Sequence, residues 1–155
     1  MRKTFCFTLL ILICSSVSSQ VERHCLRAGY SHAMGVVAYE FMYGNAYHFA
    51  LGAHMGVMPA FYEENDTRTY GAAFGVSAYT RGVESSGFYL YGGALLNGAY
   101  SYSSASNLID EYTLWSFGLG YRLAWDFIDV KVGGGYGFSA IYNKPCLDLS
   151  IGLSF

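Results

Sequence analysis

The stretch "TLWSFGLGYRL", residues 113–123, carries two different faces when it is read at every second position. Trp115, Phe117, Leu119, Tyr121 and Leu123 form one series, and Ser116, Gly118, Gly120 and Arg122 form the other. A period of two belongs to a β-strand, whose successive side chains point to opposite sides. One side of this strand is large and apolar, and the other is small or polar. A soluble sandwich turns the apolar side to its core and covers the other side with water-seeking residues. A membrane barrel turns the apolar side to lipid and the small, polar side inward. Glycine and serine stand opposite the aromatics here, where a water-facing surface carries lysine and glutamate. The barrel is the better reading.

The same pattern recurs along the chain. In "GVVAYEFMYG", Val37, Tyr39, Phe41 and Tyr43 oppose Val36, Ala38, Glu40 and Met42. In "AYHFALGAHMGV", Tyr47, Phe49, Leu51, Met55 and Val57 oppose His48, Ala50, Gly52, His54 and Gly56. In "IDVKVGGGYGFSA", Ile128, Val130, Val132, Tyr136 and Phe138 oppose Asp129, Lys131, glycines and Ser139. The segments are about ten residues long, the length a tilted membrane strand needs.

Composition agrees. Of the 155 residues 53% are hydrophobic and only 13% charged, yet the body has no run of the ~20 apolar residues that a membrane helix needs. The apolar residues are interleaved with glycine (19) and small polar residues, while proline is nearly absent (2).

The one continuous apolar run is at the start. "MRKTFCFTLLILICSSVSSQ" has a basic head, an apolar centre and a small polar end, the pattern of a secretory signal peptide. Val17 and Ser19 suit cleavage after Ser19, so residues 1–19 are expected to be removed and 20–155 to form one barrel domain. Without Arg2 and Lys3 the chain keeps seven basic and eleven acidic residues and has no basic stretch to hold a phosphate backbone. Nucleic acid is not an expected partner. Cys6 and Cys14 leave with the signal, and Cys25 and Cys146 remain in an oxidising compartment.

Turn-like clusters separate strands at roughly Gly35–Tyr43, Ala46–Met58, Thr69–Thr80, Gly87–Tyr102, Tyr112–Leu123, Phe127–Ile141 and Cys146–Phe155. Seven is odd, and single-chain bacterial barrels have even numbers. "VERHCLRAGY" supplies the eighth, with "SHAM" as its turn. The expected fold is thus all-β: a closed antiparallel up-and-down transmembrane barrel of eight strands. Short turns belong inside the cell envelope and longer loops outside. This orientation gathers Phe41, Tyr43, Tyr47, Phe49, Phe88, Tyr121, Phe127 and Phe155 at the inner end. Tyr70, Tyr100, Tyr102, Trp115, Phe138 and Tyr142 gather at the outer end, giving the two aromatic girdles of a membrane barrel.

The closing "LDLSIGLSF" resembles the last strand of bacterial outer-membrane proteins. "FGLGYRL" and "VGGGYGFSA" resemble strands of small eight-stranded barrels such as the OmpA membrane domain and OmpX. The resemblance implies an outer-membrane location, lipid as surroundings and the barrel-assembly machinery as a partner in biogenesis. It puts the assembly signal on Tyr142, Leu147, Leu149, Ile151, Leu153 and Phe155.

Eight strands enclose a space that side chains fill. The expected lumen is a polar plug of Glu40, His48, Arg122, Asp129, Lys131 and Asp148, joined by His32, His54, Tyr79, Tyr89, Tyr91 and Asn97. A two-residue turn at Trp125–Asp126 would set Arg122 opposite Asp129 as an ion pair. A three-residue turn at Gly44–Ala46 would set Tyr43 opposite Tyr47 and Glu40 diagonal to His48. Cys25 and Cys146 both point inward on the first and last strands, which closure makes neighbours, so a disulfide across the seam is a candidate. His48 and His54 lie too far apart along one strand to share a metal, and no metal or cofactor is expected. The acidic "EENDTR" reads as a solvated loop, and "GGGYGF" lacks the strand-to-helix setting of a nucleotide loop. Its glycines instead relieve crowding inside the barrel.

The expected role is structural or in surface interaction, as a monomer and without enzymatic activity. A narrow conduit for small apolar compounds is the alternative. A lipid A-modifying enzyme is a third possibility, but Ser31 and His32 are sequence neighbours whose side chains diverge on a strand.

Overall fold

The computed structural model describes residues 20–31, 35–58, 63–64, 67–101, 112–138 and 143–155. The proposed signal peptide, "SHAM" beyond Ser31, residues 102–111 and Tyr142 lie outside the described residues.

The strands are β1 (Gln20–Ser31), β2 (Gly35–Asn45), β3 (Ala50–Met58), β4 (Glu63–Glu64), β5 (Thr67–Tyr79), β6 (Gly87–Ser101), β7 (Tyr112–Trp125), β8 (Ile128–Phe138) and β9 (Asn143–Ser154). Two-residue β4 only extends the β3–β5 connection as a small ladder on β5. The other eight strands form a meander in which every pair is antiparallel and β1 pairs with β9, so the sheet closes on itself. The fold is a closed eight-stranded up-and-down β-barrel, as the alternation predicts.

The stagger of the wall follows from the pairing. Val21 pairs with Gly44, Gly44 with Ala50, Ala50 with Tyr79 and Tyr79 with Tyr89. The line continues through Gly120, Gly133 and Asp148 and returns to β1 at Ser31, ten positions beyond Val21. Eight strands with a shear of ten tilt by about 40° and give a backbone cylinder of about 8 Å radius.

Each strand has one buried and one exposed face. On β9 Leu147, Leu149, Ile151 and Leu153 are exposed, while Cys146, Asp148, Ser150 and Ser154 are buried. On β7 Trp115, Phe117 and Leu119 point outward and Ser116 and Arg122 inward. Among the described wall residues, Arg27, Glu40, Arg122, Asp129, Lys131 and Asp148 are buried inside while large apolar groups point outward, a reversal of the usual distribution.

The turns differ in detail from the sequence reading. Asn45 accepts the Tyr47 amide on its side chain (2.9 Å) and donates its own amide to Phe49 (2.8 Å). The β2–β3 turn is therefore longer than three residues, and β3 starts at Ala50 instead of Ala46. Tyr43 faces Leu51 instead of Tyr47. The β7–β8 turn falls on Asp126–Phe127, one residue later than expected, because Trp125 pairs with Ile128.

Candidate functional site in the barrel lumen

The lumen is filled in layers. Nearest the end carrying the β2–β3, β5–β6 and β7–β8 turns is an apolar layer of Cys25, Met42, Ala50 and Val83, with Val21 packed against it. Val83 comes from the β5–β6 turn, which folds into the barrel mouth. Its amide donates to Asn45 (2.9 Å), the Glu84 amide donates to Ala46 (3.0 Å), and the Val83 carbonyl accepts from Arg122 Nη2 (2.7 Å). Arg23 adds contacts to the Val83 and Asp126 carbonyls. This end is stoppered by backbone and a buried valine.

The charged layer follows. Arg27 Nε lies 2.6 Å from Glu40 Oε2 and Arg27 Nη2 lies 2.6 Å from Asp129 Oδ1. Arg122 Nε holds Asp129 Oδ2 at 2.6 Å, and Lys131 Nζ holds Glu40 Oε1 at 2.7 Å. Tyr79 donates its hydroxyl to the same Glu40 oxygen. All five charged groups are at most 1% exposed, so each depends on its partners for the stabilisation water would give. Tyr79, Tyr89 and Tyr91 pack with tilted rings beside them, and the Lys131 ammonium lies 4.9 Å and 5.0 Å from the Tyr79 and Tyr89 ring centres. The Tyr89 hydroxyl donates to Asp148 Oδ2 at 2.5 Å. Beyond the tyrosines lies a second apolar cluster of Ala73, Leu95 and Leu114.

Inward glycines make room for these side chains. A Cβ on Gly118 would stand 2.6 Å from the Tyr91 hydroxyl, one on Gly120 2.6 Å from the Tyr89 hydroxyl, and one on Gly52 2.8 Å from Glu40 Oε1.

Of the residues expected in the lumen network, Glu40, Arg122, Asp129, Lys131 and Asp148 are there. The Arg122–Asp129 ion pair forms, but diagonally: in register Arg122 faces Lys131 and Asp129 faces Ala124. His48 is not in the lumen. It sits exposed in the β2–β3 turn, and His54 is the residue facing Glu40. The lengthened turn is the physical reason. The seam disulfide is also corrected. Cys25 pairs with Ser154, whereas Cys146 precedes Asp148, the partner of Ser31, by two positions. Eight strand positions separate the two cysteines, about 26 Å, so they are buried but not joined. His32 and the Asn97 side chain lie outside the described residues. Ser31 is buried on the lumen side, away from any lipid-facing position.

Arg27 was the residue missing from the expected network, and it is the hub. Its signal was present: Arg23, Cys25, Arg27, Gly29 and Ser31 alternate along β1. The outward Glu22 and His24 blur the opposite face and hide that alternation. His24 lies in a ring cage at the same end, 5.3 Å from Phe41 and 5.9 Å from Phe155 between ring centres.

No known family, curated protein or solved structure matches this chain.

Proposed function

We propose that this protein is an integral outer-membrane β-barrel with a structural or surface-interaction role and an occluded lumen. One observation carries the reading: among the described residues, a closed wall bears large apolar side chains around its outer face and a buried cluster of charges within. Leu26, Leu51, Val76, Leu90, Leu119, Val132, Ile151 and Leu153, drawn from seven of the eight wall strands, are each at least half-exposed. A patch of that extent is far beyond what a soluble monomer exposes. Lipid is the solvent in which such a surface is stable.

The aromatic rims support the same reading. Tyr47, Phe49, Phe88, Trp125, Phe127 and Phe155 ring the turn end. Trp115, Phe117, Tyr136 and Phe138 lie toward the other end. The packed lumen argues against a conduit, and the proposal includes no catalytic step. The outward row Leu147, Leu149, Ile151, Leu153 and Phe155 is the proposed signal to the barrel-assembly machinery.

Heat-modifiable gel mobility tests the proposal. The protein refolded into detergent micelles or phospholipid vesicles is expected to migrate faster unboiled than boiled. It is also expected to resist carbonate extraction from the vesicles. Identical mobility before and after boiling, with extraction into the aqueous phase, overturns it.

A further inference from the structure

We infer that the turn end carries a binding site for one anionic glycerophospholipid, its headgroup at Arg81 and an acyl chain in a groove on the outer wall. The inference rests on the membrane reading above and adds a specific ligand to it.

The headgroup part is a polar pocket of about 430 Å³ between the β5–β6 turn, the start of β6 and the C-terminal end of β7. Arg81 is exposed there and makes no ion pair or hydrogen bond among the described residues, and Glu84 in the same turn does not neutralise it. Ser85 and Ser86 line the same pocket. The Ser86 oxygen accepts the Ala124 amide (2.9 Å), which leaves its hydroxyl hydrogen to donate. Thr80 Oγ1 is already used, donating to the Phe88 carbonyl at 3.0 Å. A guanidinium beside hydroxyl donors is chemistry for a phosphodiester.

Two further observations fit an amphiphile better than a free anion. The pocket is flanked by Phe88 and Tyr121, packed edge to face with ring centres 5.0 Å apart. Those rings belong to the aromatic rim, so the pocket lies at headgroup depth. Directly along the wall from Thr80 and Phe88 come Ala78 and Leu90, which pair with each other. They open an apolar groove of about 560 Å³ whose floor is made by Ala53, Ala78 and Gly92 between Leu51, Val76 and Leu90. Polar pocket and apolar groove thus follow one another in the order headgroup, then chain. Gly87 helps to build the first: a Cβ there would stand 2.6 Å from Arg81 Cγ, so its absence lets the arginine stem lie across β6.

The test is native mass spectrometry of the folded full-length mature barrel in detergent, titrated with dioleoylphosphatidylglycerol, dioleoylphosphatidylcholine or glycerol 3-phosphate. A saturable one-to-one adduct is expected with phosphatidylglycerol, bound at least about fivefold more tightly than phosphatidylcholine. Arg81→Gln is expected to remove that preference. Ala78→Leu, which fills the groove from the lipid side, is expected to weaken the lipid adduct while the fold, read by heat-modifiable mobility, is retained. Glycerol 3-phosphate is expected to bind far more weakly than the lipid. Equal retention of both lipids, or an Arg81→Gln protein indistinguishable from wild type, overturns the site and leaves the membrane reading standing. Failure of the wild-type barrel to enter micelles at all overturns both.

Discussion

Glu40 is the residue on which the charge balance of the lumen turns. Its carboxylate serves Arg27, Lys131 and the Tyr79 hydroxyl at once. Glu40→Ala would leave two cations facing each other without water. Removing one partner of a buried ion pair costs about 3–5 kcal/mol. The expected result is a loss of that size in urea unfolding of the micelle-bound protein, followed by gel mobility. Asp148→Asn keeps an acceptor oxygen for the Tyr89 hydroxyl and should cost about 1 kcal/mol. Overpacking gives a second handle. Gly120→Val would drive a side chain into the Tyr89 hydroxyl and should destabilise by at least about 1–3 kcal/mol in the same assay. The inward positions of Glu40, Arg122, Asp129 and Lys131 were legible from parity alone. Which charge meets which was not, because diagonal pairs depend on turn lengths that differ by one or two residues.

At the scale of elements, the β5–β6 turn is more than a connection. Its Gly82 lies against the Asn45 and Ala46 backbone so closely that no Cβ fits, and Val83 fills the lumen mouth. Val83→Lys would bury a further cation beside Arg23 and Arg122, among Cys25, Met42 and Tyr79. A marked loss of the heat-modifiable form is expected, whereas Glu84→Gln on the exposed side of the same turn should have no effect. The β1–β9 seam can be tested by cross-linking. Ala28 and Ile151 pair directly, so A28C/I151C should oxidise to a species of altered non-reducing mobility. Cys25 and Cys146 should remain unlinked to each other in the same sample. The existence of the eight wall strands was legible, though two-residue β4 falls in the expected loop "EENDTR", and the boundaries of β2, β6, β7 and β9 fall within three residues of the alternation. The start of β3 was misplaced because Tyr47 and Phe49 continue the apolar period through a turn. Their large side chains serve the aromatic rim there instead of a strand. The stopper formed by Val83 left no signal, since a valine in a turn sequence carries no period.

For the whole molecule, depth in the proposed membrane should govern the cost of charge. Leu119→Arg lies midway along the outer wall and Phe127→Arg at the turn-end rim. The first should cost about 2–4 kcal/mol and the second at most about 1 kcal/mol in vesicle-bound unfolding. Equal and negligible costs would mean that water bathes both. Planar-bilayer recordings of the folded protein should stay silent, because side chains and the Val83 turn fill the bore. The lumen cluster also bears on how the barrel closes. Arg27 and Glu40 sit on β1 and β2, whereas Arg122, Asp129 and Lys131 sit on β7 and β8, and Arg27 and Asp129 are 102 positions apart in the chain. A seam slipped by two positions would still turn every apolar side chain outward, so the lipid-facing pattern cannot reject it. The same slip would pull Arg27 about 7 Å along the wall from Asp129 and strand buried charges. The ion pairs therefore proofread the joining of the first strand to the last, a check that the greasy exterior is blind to.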